Sequence, residues 1–443
     1  MNICIIGAGY VGLVTGTCFA EHGHRVTCVD YDKAKIDSIS RCIAPFYEAG
    51  LNQLLARNIG HRLNVQTTMA DATSDADVVF ICVGTPFRAD YIDLSQVIHA
   101  AEQIGKDMRR STNYKVVVVK STVIPGTTDG VVREKLERES GMQAGKDFGL
   151  GMNPEFLTEG CAVDDFMHPD RIVLGGIDNR TWDILQSVYE DWPEVPRILT
   201  NNSTAEMIKY ASNAVLATLI SFSNEIGRLC STVGSIDIVD VMKGVHTSAY
   251  FTQRLADGHT ATASITSFLE AGCGFGGSCL PKDVKALVAQ GKTHGLGMPL
   301  LNSVLEINRS QPEHFVKLAH KHYPKMAGVK VAILGLAFKP DTDDMRESPA
   351  LPIISLLKQY GAIIKVYDPI VRPGAHPDLA DADFAGSLAD AVREAEIVFL
   401  VTRWEEFKQL AKVLREVGQE PLVVDGRRLL NPEDFKRFEG IGR

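Results

Sequence analysis

The first thirty residues carry a glycine pattern that few folds other than an α/β nucleotide-binding domain can accommodate. A short apolar strand (2–6) leads into Gly7-Ala8-Gly9-Tyr10-Val11-Gly12, a helix runs to residue 22, and a second strand (25–29) follows. The first glycine permits the tight turn, the second lets the backbone approach a pyrophosphate, and the third lets helix and strand pack closely. Because the helix N-terminus presents unpaired N–H groups to the phosphates, the pattern predicts a dinucleotide site.

Asp30 directly follows the second strand, at the place where a dinucleotide-binding unit meets the ribose. Its carboxylate would accept hydrogen bonds from a ribose diol and would repel a 2′-phosphate, which favours NAD over NADP. The following residues, Tyr-Asp-Lys (31–33), lack the arginine that usually holds a 2′-phosphate. The alternative is a structural glycine turn that binds no ligand.

Two more apolar strands are predicted at 77–83 and 115–119, and Thr85 and Thr122 follow their ends. Ligands bind at the strand ends of an open parallel sheet, so both threonines are candidate site residues. The alternative for each is a hydroxyl that caps the following turn.

The segment 153–160 reads NPEFLTEG and contains Glu155 and Glu159, four residues apart. The two glutamates could share one helical face, or they could be exposed surface charges. The apolar Phe156 and Leu157 after Asn-Pro suggest instead a turn that is pinned to a core.

A long helix is predicted over 204–230, where apolar residues recur at helical spacing. Lys209 and Asn213 lie four residues apart on it and share a face. A lysine aimed at a site can stabilise a developing oxyanion, whereas the alternative is an ordinary surface lysine. The polar stretch 246–267 predicts a loop.

The glycine-rich stretch 272–283, GCGFGGSCLPKD, places Cys279 in a turn with Lys282 and Asp283 just behind it. A thiol near a cation is a candidate nucleophile, because the thiolate is the reactive form. The alternative is a small buried cysteine beside a turn.

A second copy of the first pattern begins with the strand 329–335, and the segment 395–401 echoes 76–83. Its first turn lacks the second and third glycines, and Lys339, Asp344 and Arg346 crowd it. This composition suits a second anion such as a substrate pyrophosphate; the alternative is a salt-bridged surface cluster.

The fold class predicted is therefore α/β, with two doubly wound, Rossmann-like parallel-sheet domains joined by a central helical segment. The predicted boundaries are 1–200 for the dinucleotide domain, 201–310 for the central helical segment and 311–443 for the C-terminal α/β domain.

Composition limits the partners and the compartment. A net charge of −9 over 443 residues argues against a nucleic-acid partner. The nine cysteines include no CxxC pair, so neither a metal site nor a disulfide framework is expected, and the reducing cytoplasm is the predicted location. The N-terminus has no basic n-region, and no other apolar run reaches the roughly 18 residues of a membrane span.

Seven motifs in order make the chain resemble the nucleotide-sugar dehydrogenases, the group of UDP-glucose and GDP-mannose 6-dehydrogenases. They are GAGYVGL, CVGTP, KSTV with GTT, NPEFLTEG with PDRIVLG, AEMIKYASNA, GFGGSCLPKD and LGLAFKPDTDDMRESP. The resemblance extends from residue 1 to about residue 434 and is nearer to the UDP-glucose enzymes.

The resemblance implies a four-electron oxidation of the sugar C6 alcohol to the acid, with two NAD. Cys279 would attack the intermediate aldehyde, and the thiohemiacetal would become a thioester that water hydrolyses, assisted by Glu155. Lys209 and Asn213 would stabilise the oxyanion, Asp283 would lie beside the cysteine, and Thr122 would order a water. A thioester lets one site perform two oxidations without releasing the aldehyde.

The resemblance also implies binding residues and a homodimer formed through the central helix. For the cofactor, they are Gly7, Gly9, Tyr10, Val11, Gly12, Asp30, Lys35, Thr85, Thr122, Glu159, Lys282 and Arg346. For the substrate, they are Glu155, Phe156, Leu157, Lys209, Asn213, Phe268, Gly272, Phe275, Gly276, Phe338 and Lys339.

One departure leaves the sugar and the base open. Many UDP-glucose enzymes carry Arg-Ile-Gly shortly before the Phe-Leu of this region, and that arginine reaches the sugar of a neighbouring subunit. Here the residues are Ser-Ile-Thr-Ser-Phe-Leu (264–269), and Arg254 in the preceding loop is the candidate substitute. GDP-mannose, dTDP-glucose and UDP-N-acetylhexosamine therefore stay open as substrates, as do a two-electron alcohol dehydrogenase and a non-enzymatic NAD sensor.

Overall fold

The computed structural model describes residues 1–110 and 113–443, and the chain divides into two compact units, Met1–Ser212 and Asn213–Arg443. The point of division lies inside one 32-residue helix. The boundaries predicted from the sequence at residues 200 and 310 stay predictions. None of the described helices is both long enough and apolar enough to cross a membrane.

The first unit is built on a central sheet. Among its described residues, eight strands form this sheet in the order β10-β9-β8-β7-β4-β1-β2-β3, and β5 and β6 form a separate hairpin. The strands are β1 (Asn2–Ile6), β2 (Arg25–Val29), β3 (Leu63–Gln66), β4 (Val78–Ile81), β5 (Phe87–Arg88), β6 (Tyr91–Ile92), β7 (Val116–Val119), β8 (Gly149–Met152), β9 (Ile172–Gly176) and β10 (Arg197–Thr200).

Helices cover both faces of this sheet, as the fully buried apolar strands β4 and β7 require. They are α1 (Tyr10–Glu21), α2 (Lys33–Ser40), α3 (Leu51–Asn58), α4 (Ala70–Ser74), α5 (Ser95–Met108), α6 (Arg133–Ser140), α7 (Ala162–Met167), α8 (Asn179–Val188) and α9 (Asn202–Val233), with a π-helical turn at Thr128–Val132. Helix α9 continues into the second unit.

The first sheet departs from the predicted all-parallel arrangement at one place. Strand β9 pairs antiparallel with β8, whereas β10 runs parallel to β9. The segment between β8 and β9 begins and ends at the same end of the sheet, so β9 runs in the direction opposite to β8. The remaining order, 3-2-1-4-7-8, is that of a doubly wound domain with its switch point between β1 and β4.

The second unit repeats this plan in a parallel sheet. In the described chain, six strands pair in the order β15-β14-β13-β16-β17-β18, and β11 and β12 form a hairpin. They are β11 (Thr252–Arg254), β12 (Thr260–Thr262), β13 (Lys330–Leu334), β14 (Ile363–Tyr367), β15 (Asp383–Phe384), β16 (Ile397–Leu400), β17 (Leu422–Asp425) and β18 (Phe438–Gly440).

The helices of the second unit are α10 (Ile238–His246), α11 (Leu280–Thr293), α12 (Pro299–His320), α13 (Ala350–Gln359), α14 (Leu388–Val392) and α15 (Leu410–Val417), with short 3₁₀ helices between some of them. The predicted second copy of the α/β pattern is confirmed.

The prediction of a loop over 246–267 is wrong in part. The segment contains the β11–β12 hairpin and a 3₁₀ helix at Ser264–Phe268. The side chains of both hairpin strands are largely exposed, so they leave no apolar alternation in the sequence by which they could be recognised.

Candidate functional site

The glycine turn after β1 has the geometry that its sequence predicts. Gly7 has φ +98°, and a Cβ there would lie 2.8 Å from the Cys82 carbonyl oxygen. A Cβ at Gly12 would collide with the Gly7 carbonyl, whereas a Cβ at Gly9 would have no described neighbouring atom within 4 Å. The first and third glycines are thus required by packing. The second faces open space, where a ligand can approach the backbone.

Asp30 is anchored beside this turn. Its Oδ2 accepts hydrogen bonds from the Ala8 amide (2.9 Å) and from Lys35 Nζ (2.7 Å), and its Oδ1 accepts from the Asp32 amide (3.0 Å). The carboxylate is therefore fixed at the carboxyl end of β2, with Lys35 beside it.

A cavity of about 640 Å³ opens at the carboxyl ends of β1, β2 and β4. Four of the predicted cofactor residues line it, namely Gly7, Gly9, Asp30 and Lys35. Residues that were not predicted also contribute to the lining, among them Tyr31, Thr67, Met69, Gly84, Gln96, His99 and Gln103. The lining does not include Tyr10, Val11, Gly12, Thr85, Thr122 or Glu159. The glycine turn, the helix N-terminus and the acid suit an NAD molecule, and the residues present fit that cofactor.

Tyr10 has a structural contact that the sequence does not predict. Its hydroxyl donates to Glu48, and both groups accept from the Gly160 amide, at 3.0 Å and 2.8 Å respectively. The Tyr10 side chain thus joins α1 to the segment 153–160. Its predicted contact with the cofactor stays a prediction.

The ends of β4 and β7 are tied together by hydroxyl groups. Thr85 Oγ1 donates to the Thr122 carbonyl (2.7 Å), and Ser121 Oγ donates to the Val83 carbonyl (2.7 Å). The Thr85 hydroxyl therefore fixes the backbone that carries Thr122. The role predicted for Thr122 itself stays a prediction.

Glu155 and Lys209 form a buried ion pair, with Lys209 Nζ 2.9 Å from Glu155 Oε1 and side-chain exposures of 7% for Glu155 and 5% for Lys209. Glu155 Oε2 also accepts from the Leu157 amide (2.7 Å). Burial alone would raise the pKa of Glu155, but the adjacent Lys209 ammonium lowers it below its ordinary value. Glu155 is therefore ionised at neutral pH, and the alternative of Lys209 as a surface lysine is wrong.

The helical alternative for Glu155 and Glu159 is wrong as well. The described residues 153–158 have no regular secondary structure. Phe156 and Leu157 pack against different clusters of the core, so the prediction of a pinned turn is confirmed. The Phe156 ring also lies under the Arg171 guanidinium, 3.8 Å from the ring centroid, and 5.6 Å from Lys209 Nζ.

Sequence reasoning missed Lys120, which is buried at the end of β7. Its Nζ donates to Asn153 Oδ1 (2.9 Å), and Asn153 Oδ1 also accepts from the Tyr189 hydroxyl (2.6 Å). Desolvation lowers the pKa of Lys120 to about 8, although the nearby Glu155 raises it. A lysine that directly follows four buried valines could have indicated this site, since lysine is rarely buried without a partner.

The second unit holds the other catalytic candidates. Asp283 is fully buried, and its carboxylate accepts from Asn213 Nδ2 (2.6 Å) and from Lys282 Nζ (2.5 Å). Cys279 is the N-cap residue of α11, and its carbonyl accepts from the Asp283 amide (2.9 Å). The thiol is half-buried, with Ser278 Oγ at 3.5 Å from Sγ. Cys279 is therefore only partly buried, and its role as the nucleophile stays a prediction.

A cavity of about 270 Å³ lies at the carboxyl ends of β13, β16 and β17. Five of the predicted substrate residues line it, namely Phe268, Phe275, Gly276, Phe338 and Lys339. The lining does not include Gly272, whose amide and carbonyl bond to Asn224 and Gln311. Aromatic rings and cations at a switch point between strands suit an anionic, ring-containing ligand.

Three charged residues of this cavity were missed by the sequence reasoning. Arg427 is fixed by hydrogen bonds to the Val401 carbonyl (2.6 Å) and the Gly274 carbonyl (3.2 Å). Arg403 pairs with Glu270 at 2.5 Å. Both arginines lie shortly after the end of a buried strand, a position that could have identified them.

Arg346 and Lys282, which the resemblance assigns to the cofactor, have partners within the second unit. Arg346 makes a bidentate pair with Asp344, with Nη2 2.7 Å from Oδ2. Lys282 pairs with Asp283. Their contact with the cofactor stays a prediction.

Asp368 occupies in the second unit the place that Asp30 occupies in the first, but it leaves less room for a ribose. Its Oδ2 accepts from the Leu336 amide (2.8 Å) and from Trp404 Nε1 (3.1 Å), and its Oδ1 accepts from two further amides. The side chain is therefore occupied by protein donors. The turn after β13 also lacks the second and third glycines, so this end of the second sheet differs from the glycine turn of the first unit.

Comparisons with known families cover most of the chain. Models of the UDP-glucose/GDP-mannose dehydrogenase family match residues 1–193 (NAD binding domain), 203–310 (central domain) and 332–432 (UDP binding domain). Among curated proteins, UDP-glucose 6-dehydrogenase AglM of Haloferax volcanii is 38% identical over 100% of both chains. UDP-glucose 6-dehydrogenase YwqF of Bacillus subtilis is 40% identical over 96% of this chain and 93% of its own.

Two solved structures are similar over nearly the whole chain. A UDP-glucose dehydrogenase from Pyrobaculum islandicum has a TM-score of 0.90 at 35% identity, covering 99% of this chain and 97% of its own. A UDP-D-ManNAc dehydrogenase from Pyrococcus horikoshii has a TM-score of 0.83 at 27% identity, covering 100% and 99%.

Proposed function

Because the chain belongs to the UDP-glucose/GDP-mannose dehydrogenase family, we propose that it oxidises the C6 alcohol of UDP-glucose to the carboxylate of UDP-glucuronate, with two NAD per sugar. The observation that carries this substrate is the full-length similarity to curated UDP-glucose 6-dehydrogenases of separate organisms. The cysteine within its glycine turn supports the four-electron course of the reaction.

NAD supplies the acceptor for each hydride, and the first unit holds it. The amides of the glycine turn and the N-terminus of α1 would neutralise its pyrophosphate. Asp30 would accept hydrogen bonds from the adenosine ribose, and its negative charge would disfavour a 2′-phosphate. Lys35, which pairs with Asp30, holds that carboxylate in place.

The first oxidation removes a hydride from C6 and a proton from its hydroxyl, which gives an aldehyde. Lys209 is the group proposed to face the developing C6 oxyanion, because its ammonium is buried and fixed by Glu155. Asn213, one helical turn further along α9, is proposed to donate a second hydrogen bond to that oxygen. Its amide is already oriented by Asp283.

The second oxidation uses Cys279. The thiolate would add to the aldehyde carbon and give a thiohemiacetal oxyanion, which becomes a thioester when it loses a hydride, with NAD as the acceptor. Water attacks the thioester carbonyl, the carbon–sulfur bond breaks, and the acid and the thiol are formed. Glu155, which is ionised beside Lys209, is the proposed acceptor for the proton of that water.

The 270 Å³ cavity of the second unit is the proposed site of the nucleotide. The phenylalanine rings provide surfaces for a base, and Lys339, Arg403 and Arg427 provide positive charge for the diphosphate.

A panel of nucleotide sugars tests this proposal. The purified protein is given UDP-glucose, GDP-mannose, dTDP-glucose and UDP-N-acetylmannosamine with NAD, and initial NADH formation is measured at 340 nm. UDP-glucose is expected to give the highest kcat/KM. Higher turnover of GDP-mannose would contradict the base assignment, and no turnover of any sugar would contradict the whole proposal.

The exposed face of α9 supports the proposal of a homodimer formed through the central helix. Val215, Phe222 and Leu229 follow at seven-residue intervals with exposures of 46%, 46% and 58%, and Val233 adds one turn. A seven-residue apolar repeat on an exposed helix is typical of helix–helix association. A second copy of the chain would bury this stripe against its own equivalent.

Phe222→Glu is therefore expected to convert a dimer into a monomer in light scattering at micromolar concentration, because it places a charge in the middle of the apolar stripe. Ile363→Glu is the matched control, since Ile363 is also exposed (58%) but lies on β14. A wild-type monomer, or a Phe222→Glu dimer as stable as the control, would rule out this interface.

A further inference from the structure

The loop that carries Cys279 is held by side-chain amides from two helices. The described residues 270–279 contain no helix or strand, so their main chain lacks the regular partners of a sheet or helix. Asn224 of α9 accepts from the Gly272 amide (2.7 Å), and Gln311 of α12 donates to the Gly272 carbonyl (2.7 Å). Both amide side chains are essentially buried.

Asn308, also of α12, bonds to both main-chain groups of one loop residue, as a neighbouring strand would. Its Oδ1 accepts from the Phe275 amide (2.8 Å), and its Nδ2 donates to the Phe275 carbonyl (3.0 Å). A Cβ at Gly274, where φ is +106°, would lie 2.8 Å from Asn308 Oδ1. A side chain at position 274 would therefore displace the Asn308 amide, so the two hydrogen bonds to Phe275 require a glycine there.

The orientation of Gln311 is set by Arg228. Arg228 Nε donates to Gln311 Oε1 (2.8 Å), and its Nη2 donates to the Ile307 carbonyl (2.7 Å). A guanidinium can only donate, so it fixes the oxygen of Gln311 toward itself and the NH₂ group toward Gly272. The amide is thus held in the one orientation that bonds the loop.

From this network we propose that Asn308 and Gln311 are positioning residues for the nucleophile and for the substrate cavity together. They fix the loop at Gly272 and Phe275; Phe275 is a wall of the 270 Å³ cavity, and Cys279 lies four residues further on. The proposal rests on the proposed function of Cys279 for its catalytic consequence. The structural part of the proposal, that the two amides fix the loop, does not depend on that function.

Asn308→Asp tests the proposal with little change of shape. Aspartate still accepts from the Phe275 amide but places a carboxylate against the Phe275 carbonyl, where the NH₂ group donated. The displaced loop is expected to lower kcat by about 10- to 100-fold and to weaken UDP binding in calorimetry several-fold. The KM for NAD should stay unchanged, because the NAD cavity belongs to the first unit.

Asn302→Asp is the matched control. Asn302 lies on the same helix, is exposed, and bonds to the Gly297 and Met298 carbonyls at the N-terminus of α12 rather than to the loop. It makes the same chemical change, so kcat and UDP affinity should remain within twofold of wild type.

Thiol alkylation by iodoacetamide, read at each cysteine by peptide mass spectrometry, makes the test independent of turnover. The rate at the half-buried Cys279 should rise at least threefold in Asn308→Asp, whereas the rate at the exposed Cys161 should not change. Gln311→Glu keeps the bond from Arg228 but loses the donor to Gly272. It should raise the alkylation rate of Cys279 as Asn308→Asp does, and it replaces that variant in the test if Asn308→Asp does not fold.

Two outcomes separate the possible failures. A Cys279 alkylation rate and a kcat equal to those of Asn302→Asp, even with a lower Tm, would overturn the positioning role and leave the amides purely structural. If the wild type oxidises no nucleotide sugar while Asn308→Asp still changes the alkylation of Cys279, the proposed function fails but the control of the loop stands.

Discussion

Cys279→Ser is expected to lower the rate of acid formation by about a thousandfold, equivalent to about 4 kcal/mol of transition-state stabilisation. A serine hydroxyl stays protonated near neutral pH, and an ester would be a poorer intermediate than a thioester. The first hydride transfer does not need the thiol. The variant should therefore form at most one NADH per enzyme-bound sugar in a single turnover, measured by stopped-flow absorbance.

Cys273→Ser provides the control for this prediction. Cys273 belongs to the same glycine-rich loop, but its thiol is buried and donates to the Val401 carbonyl (3.4 Å), a bond that serine can also make. Its activity should stay within about threefold of wild type. If Cys279→Ser retained a tenth or more of the wild-type rate of acid formation, the thioester route would be excluded.

The second large effect is expected for Lys209→Met. Removing one partner of a buried ion pair leaves the other charge uncompensated, so the free energy of unfolding should fall by about 3–5 kcal/mol at pH 8. Loss of the group proposed to face the oxyanion should lower kcat by about 10²- to 10³-fold. Urea unfolding and steady-state kinetics measure the two effects separately.

The pH dependence of this destabilisation gives a sharper test. In the wild type, Lys209 holds the pKa of Glu155 below its ordinary value, so the pair stabilises the fold at neutral pH and is lost only as pH falls through that lowered pKa. In Lys209→Met, burial raises the Glu155 pKa instead. The destabilisation should then shrink as pH falls from 8 toward 5, because protonation removes the buried charge.

Two further variants control for the loss of a lysine. Lys115→Met removes a buried lysine that donates to the Thr73 and Ser74 carbonyls rather than to a carboxylate. The resulting decrease in the free energy of unfolding should therefore be smaller than for Lys209→Met and should depend less on Glu155. Lys209→Met combined with Glu155→Gln should recover much of the stability but not the activity. A cost for Lys209→Met that is equal at pH 5 and pH 8 would contradict the ion-pair interpretation.

Local patterns predicted the features that depend on near neighbours in the chain. The glycine turn at 7–12 was recognisable because each glycine answers a local steric need, and the structure shows the collisions that other residues would make. The buried strands β4, β7 and β16 follow from uninterrupted apolar runs. Cys279 became a candidate nucleophile because its glycines and the following Lys-Asp are adjacent in sequence.

Contacts between distant residues were beyond such reasoning. The ion pair of Lys209 with Glu155 joins α9 to an irregular segment 54 residues earlier in the chain (209 − 155). No periodic pattern in the sequence predicts this contact. The amides of Asn308 and Gln311 act on a loop more than thirty residues away. Arg403 and Arg427 both line the 270 Å³ cavity only because parallel strands bring their carboxyl ends to one end of the sheet.

The ratio of NADH formed to sugar consumed tests the central claim most directly. With limiting UDP-glucose and excess NAD, the reaction is followed to completion by absorbance at 340 nm, and the product is identified by mass spectrometry. Two NADH per sugar, with UDP-glucuronate as the product and no free aldehyde trapped by hydroxylamine, is the expected result. One NADH per sugar, with the aldehyde released, would show a two-electron alcohol dehydrogenase and contradict the thioester mechanism.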